Sequence, residues 1–144
     1  MRMRARPIVD DETFRRLCRA RDYAHAYFAS PIDTRILASE AALSTWHFHR
    51  LFTGMFGTTP HGFLTQLRID RAKQLLASGN YSVTETCFET GYSSLGSFST
   101  KFRGVVGLSP ADYGRHVRRV FGPAAPARSQ FIPTCFLSLF AGEE

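Results

Sequence analysis

The stretch Ser44–Phe63, STWHFHRLFTGMFGTTPHGF, is followed fifty residues later by a second copy of its own pattern, SLGSFSTKFRGVVGLSPADY, at Ser94–Tyr113. The shift aligns Ser44 with Ser94, Phe48 with Phe98, Phe52 with Phe102, Gly54 with Gly104, Gly57 with Gly107 and Pro60 with Pro110. Most of these are caps, stops and apolar positions, so an internal repeat organises the chain. Upstream of each copy lies another short helical stretch and a tight turn, LASEAALS in the first and CFETGYSS in the second. A short helix, a turn of a few residues and a second amphipathic helix is the helix-turn-helix arrangement, here present twice.

Working outward from the repeat, caps and periodicity extend the helical reading to nearly everything from Asp10 to Val120, and no run alternates convincingly with period two. Asp10 and Asp11 cap a first helix through Ala29, ahead of Pro31, and Asp33 precedes a short second helix from Thr34 to Ala41. Ser44 caps a third, Thr45 to Phe56, stopped by Gly57. Thr59-Pro60 opens a long connecting helix to Ser78, with Gly79 as its stop. Ser82 and Glu85 have the capping-box spacing for a fifth helix that ends at Gly91. Ser94 opens a sixth, closed by Gly107, and Ser109-Pro110 opens a seventh, reaching Arg119. The expected fold is all-α, with about seven helices forming two helix-turn-helix subdomains joined by a long connecting helix. The corresponding divisions are an N-terminal arm and helix start at 1–20, a first subdomain at 21–58, the connecting helix at 59–79, a second subdomain at 80–120 and a C-terminal extension at 121–144.

Composition narrows the partner. The chain of 144 residues is 44% hydrophobic, enough for a real core, and carries 18 Lys+Arg against 12 Asp+Glu for a net charge of +6. Sixteen of those cations are arginine, the residue that forks onto phosphates and guanine edges, which puts nucleic acid first among partners. Cys18, Cys87 and Cys135 are odd in number and form no CxxC, against a disulfide framework or a zinc knuckle and in keeping with a reducing cytoplasm. MRMRARPIVDDETF has no apolar run after its charges, and Cys135–Ala141 is too short to span a bilayer, so neither signal peptide nor membrane span is expected.

The faces of the repeat helices carry the functional reading. At a helical period Phe48, Leu51, Phe52 and Met55 form one apolar stripe, while Trp46, His49, Arg50 and Thr53 fall across the opposite side. An aromatic four residues before a guanidinium, away from the core stripe, suits a wet polyanionic partner. In the sixth helix Phe98, Phe102, Val105 and Val106 point inward, and the outward positions go to Gly96, Ser99, Thr100 and Arg103. The connecting helix, at 19 residues, is about 28 Å long. That length can hold two reading helices about one turn of B-DNA apart, ~34 Å, in successive major grooves.

These residues resemble the DNA-binding domain of the AraC/XylS transcriptional regulators, from about Arg21 to Val120. ASEAALSTWHFHRLFTGMFGTTPHGFL, RIDRAKQLL, SVTETCFETGYSSLGSFSTKF and GLSPADY carry the match. The resemblance implies that Trp46 and Arg50, with Thr45, His49 and Thr53 beside them, meet DNA in a groove. In the second motif, where many members have an arginine, this chain has Thr100. The implied contacts there are Ser94, Leu95, Gly96, Ser99, Thr100 and Arg103, with Ser94 and Thr100 as weak base readers. Arg35, Ser97 and Lys101 are expected on phosphates, and within RIDRA one arginine is expected to pack against a neighbouring helix. The resemblance also implies contact with RNA polymerase. The chain is expected to bind DNA as a monomer, with the C-terminal extension offering a route to a dimer.

Two other classes of function compete with this reading. His47 and His49 point about 200° apart on a helix and cannot chelate one metal, and His25, His61 and His116 lack HExxH spacing. No GxSxG, Walker or dinucleotide loop occurs, so no catalytic residue, metal or cofactor is expected. The alternative is a protein-interaction module that meets polymerase or a partner regulator and binds DNA weakly and without sequence preference.

Overall fold

A computed structural model of the protein describes residues 8–122, and the expected C-terminal extension beyond Gly122 lies outside the described residues. Seven α-helices and no strand occur among them. They are α1 (Asp11–Tyr27), α2 (Thr34–Glu40), α3 (Thr45–Phe56), α4 (Pro60–Ser78), α5 (Val83–Glu89), α6 (Leu95–Val106) and α7 (Pro110–Phe121).

The caps that the residues imply are the ones that form. Asp10 accepts from the Thr13 N–H, Asp33 from those of Arg35 and Ile36, Ser44 from that of His47 and Ser94 from that of Ser97. Thr59 Oγ1 accepts from the Gly62 N–H at 3.0 Å to start α4. At α5 the capping box is reciprocal: the Ser82 N–H donates to Glu85 Oε2 at 2.7 Å while the Glu85 N–H donates to Ser82 Oγ at 3.2 Å. Each such cap is worth about 1 kcal/mol. α2 stops at Glu40, one residue short of Ala41, α5 stops at Glu89, two short of Gly91, and two further ends differ from expectation. α1 stops at Tyr27 instead of Ala29, because a turn closed by the Ser30 N–H on the Tyr27 carbonyl carries the chain into Pro31, whose ring disfavours helix just before it. α7 runs past Arg119 to Phe121, because Gly122 is the residue that ends it.

Contacts divide the chain into two units, with the division falling between Leu67 and Arg68 inside α4. The first unit buries Leu17, Ala20 and Ala24 of α1 and Leu37 and Ala38 of α2 against Phe48, Leu51 and Phe52 of α3 and Leu64 of α4. In the second, Ile69, Ala72, Leu76 and Ala77 of α4 meet Cys87, Phe98, Phe102, Val106, Tyr113 and Val117.

The repeat survives at the level of side-chain packing. Phe48 and Phe52 lie 5.3 Å apart, and Phe98 and Phe102 lie 5.7 Å apart. Phe63 meets Phe52 edge-on at 5.5 Å, and its counterpart Tyr113 meets Phe102 edge-on at the same distance. The second unit adds a link of its own, in which the Arg118 guanidinium donates to the Leu76 carbonyl at 2.6 Å, satisfying a last-turn carbonyl of α4. Gly114 makes room for it, since a Cβ there would lie 3.0 Å from the guanidinium and 3.3 Å from the Leu76 oxygen.

The turn inside each helix-turn-helix is built the same way. The Leu43 N–H reaches back to the Ala38 carbonyl and the Ala42 N–H to that of Ser39, as the Tyr92 N–H reaches Cys87 and the Gly91 N–H reaches Phe88. This is a Schellman closure, and it requires one left-handed residue. The second motif places Gly91 there at φ 87°, whereas the first places Ala42 at φ 53°, the one non-glycine with positive φ among the described residues. A left-handed alanine costs roughly 1 kcal/mol. Ala42→Gly is therefore expected to stabilise the protein by about 0.5–1 kcal/mol, seen as a higher urea midpoint with an unchanged m-value.

Candidate nucleic-acid interface

The helix that carries Trp46 is fixed on one side only. Phe48, Leu51 and Phe52 are buried and Met55 is half-buried, while Thr45, Trp46, His47, His49 and Arg50 are exposed on the remaining surface. Trp46 is 71% exposed, an unusual degree for the residue with the largest apolar surface. The Arg50 guanidinium carbon stands 5.1 Å from the centre of the indole, one turn along the helix. This is a cation–π contact on the solvent side, next to the His47 ring at 6.4 Å.

Thr53 departs from the outward position expected of it. It is half-buried, and its hydroxyl donates to the His49 carbonyl at 2.7 Å, the usual internal bond of a helical threonine. Only its lone pairs face outward for a partner.

In α6 the exposed residues are Leu95, Gly96, Ser97, Thr100, Lys101, Arg103 and Gly104, with Ser99 half-buried and the Ser94 hydroxyl engaged as the N-cap. Nothing stands within 4 Å of where a Cβ at Gly96 or Gly104 would be. Close internal packing therefore does not account for either glycine. Their missing side chains leave an open trough of about 750 Å³ lined by Gly96, Ser97, Thr100, Lys101, Gly104 and Val105. The outward face of α3 projects, and that of α6 is hollow.

Among the cations outside these helices, Arg35 is exposed at the N-terminus of α2 but pairs with Asp33 at 3.0 Å. The Asp33 carboxyl is held below its ordinary range by the Ile36 N–H and by Arg35. A pair this exposed to water adds little to stability and leaves Arg35 loosely held. Arg68 of RIDRA is half-buried with its guanidinium 5.8 Å from the centre of the Tyr92 ring, and burial lowers its pKa, which makes it the packing arginine of that segment. Arg71 is exposed and donates to Gln74 at 3.1 Å.

Comparison with known proteins places this geometry. The helix-turn-helix domain family matches residues 37–116, which span α2 through most of α7. The chain belongs to the AraC/XylS family. The family is one of DNA-binding transcriptional regulators, and this AraC/XylS domain is not an enzyme. The probable transcriptional regulator LumQ of Photobacterium leiognathi is 34% identical over 97 residues, covering 67% of this chain and 39% of LumQ. The MmsAB operon regulatory protein of Pseudomonas aeruginosa is 36% identical over 107 residues, 72% of this chain and 35% of that protein. The chain thus spans under half the length of the curated relatives it matches. Among solved structures, the DNA-binding domain of AdpA in complex with a target DNA superimposes with a TM-score of 0.70 at 30% identity, over 73% of this chain and 95% of that domain. No helix among the described residues of this AraC/XylS domain is long and apolar enough to cross a membrane.

Proposed function

We propose that the protein is a sequence-specific regulator of transcription that sets α3 and α6 into successive major grooves of double-stranded DNA, with α3 as the main reader. The observation that carries this reading is the exposed Trp46–Arg50 pair on the side of α3 away from its core stripe. Arg50 supplies hydrogen bonds to a base edge, where a good bidentate contact to guanine discriminates by about 1–3 kcal/mol. Trp46 adds apolar contact to base or sugar, with Thr45 and His49 alongside and Thr53 accepting. In α6 the absence of a long side chain at Gly96 and Thr100 leaves mainly phosphate work for Ser97, Lys101 and Arg103, with Arg35 joining from α2. Ser94 and Thr100 read weakly at most, Leu95 offers an apolar contact, and Ser99 lies at the margin of this face.

The protein acts in the cytoplasm, binds as a monomer and meets RNA polymerase once on DNA. Membership of a family of DNA-binding transcriptional regulators supports this reading.

Selection of bound genomic fragments followed by footprinting tests the proposal. The expected product is a site protecting two successive major grooves, about 10 base pairs centre to centre, with affinity falling linearly in log salt. Uniform binding to unrelated sequences, together with firm capture of a protein partner, would replace this reading with the interaction-module alternative.

A further inference from the structure

We infer that Trp46 is a positioning residue for Arg50, its indole holding the guanidinium plane in a reading orientation before DNA arrives. This rests on the DNA-reading role just proposed for α3 and goes beyond it by making base discrimination a property of the pair.

Several other arginines spend their donors inside the protein. Arg16 pairs with Glu12, Arg21 with Asp22, Arg35 with Asp33 and Arg115 with Asp112, so each spends N–H donors on a carboxylate. Arg118 spends one on the Leu76 carbonyl. Arg50 forms no hydrogen bond or ion pair with a described residue, and its recorded contact is the indole. A cation–π contact spends no N–H donor on a carboxylate or carbonyl. Holding the guanidinium over the indole therefore removes rotational freedom that a long side chain would otherwise lose on binding.

Two further arginines lie over rings, and neither has this combination. Arg21 lies 5.6 Å from the Phe56 centroid but is also tied to Asp22, and Arg68 over Tyr92 is half-buried. The platform beneath the pair is rigid, because Ser44 caps the helix two residues before Trp46 and Phe48 and Phe52 anchor the turns that carry it. In the repeat, both members are replaced together, Trp46 by Gly96 and Arg50 by Thr100. Ring and guanidinium are present as a unit in one motif and absent as a unit in the other.

The test combines the free protein with a double-mutant cycle on a site selected by the wild type. In the free protein, the Arg50 side-chain protons are expected upfield through the ring current of the indole, a shift retained in part by Trp46→Phe and lost in Trp46→Leu. On DNA, Trp46→Leu and Arg50→Ala are each expected to weaken binding roughly 20-fold, and the double variant no more than about 60-fold, because the two losses are coupled. Trp46→Phe is expected to keep most of the discrimination at the base pair that Arg50 reads. Trp46 is exposed, so unfolding midpoints of all variants are expected to match the wild type and exclude a folding defect. Losses that multiply, to about 400-fold, would show Trp46 contacting DNA independently and overturn the positioning role. So would an unshifted Arg50 resonance in the free wild type. A wild type that selects no sequence overturns the DNA reading itself, an outcome distinct from a multiplicative cycle on a genuine site.

Discussion

Replacing Trp46 and Arg50 together by alanine is expected to lower affinity for a selected site by about 50-fold, roughly 2.3 kcal/mol. At a protein concentration that just saturates the wild type, the footprint over the first motif disappears. The size of the effect follows from how little else on α3 can compensate. Thr45 sits in the first turn, the Thr53 hydroxyl proton is spent on His49, and His49 is one residue. The matching change in the second motif, Lys101 and Arg103 to alanine, removes charge without removing a reader. It is expected to weaken specific and non-specific binding alike and to reduce the salt slope by close to two charges' worth. If the α6 variant relaxed sequence preference while the α3 variant left it intact, the assignment of the dominant motif would be reversed.

The difference between the motifs was legible because recognition surfaces are residues pointing away from a core, and the core stripe can be counted along a helix. Phe48, Leu51 and Phe52 set the phase, and that phase put Trp46 and Arg50 outside. Helix ends were legible for the same local reason. A cap such as Ser44, Ser82 with Glu85, or Ser109 before Pro110 acts on N–H groups within three residues of itself. What the sequence concealed is what depends on distant atoms or on an uncharacteristic residue. Arg118 reaches a carbonyl 42 residues back, and no spacing announces that. Alanine carries no left-handed signal, and the fifty-residue shift sets Gly91 against Ala41 and not Ala42, because the second turn holds one residue more before its N-cap serine. Thr53 fell on the outer face by angle, but a threonine hydroxyl bonds back along its own helix, and periodicity does not register that.

The fidelity of the repeat also sets up a test of the second core, at Tyr113. In the first unit the corresponding ring is Phe63, and both rings meet their α3 or α6 phenylalanine at 5.5 Å. Tyr113 thus carries one oxygen more than its counterpart, fully buried and with no hydrogen-bond partner among the described residues. Burial, reinforced by the negative charge of Asp70, pushes its phenol from the ordinary 10.0 up to about 12. A pKa raised on folding favours the neutral ring in the native state. Its contribution is whole below pH 10 and is lost as pH climbs from about 10 through about 12, when the unfolded chain gives up its proton more readily. A shift of two units corresponds to about 2–3 kcal/mol. Wild-type stability is therefore expected to fall by about that amount between pH 10 and 12, over and above the loss seen in Tyr113→Phe. At neutral pH the same substitution removes an unpaired buried hydroxyl and is expected to be neutral or to stabilise by up to about 1 kcal/mol. Urea unfolding of both proteins at neutral and alkaline pH measures the two effects as one difference, in which the shared ionisations of the other tyrosines and the lysines cancel. Equal alkaline losses in the two proteins would mean that the Tyr113 hydroxyl reaches water. The second core would then be open at the position where the first is closed by Phe63.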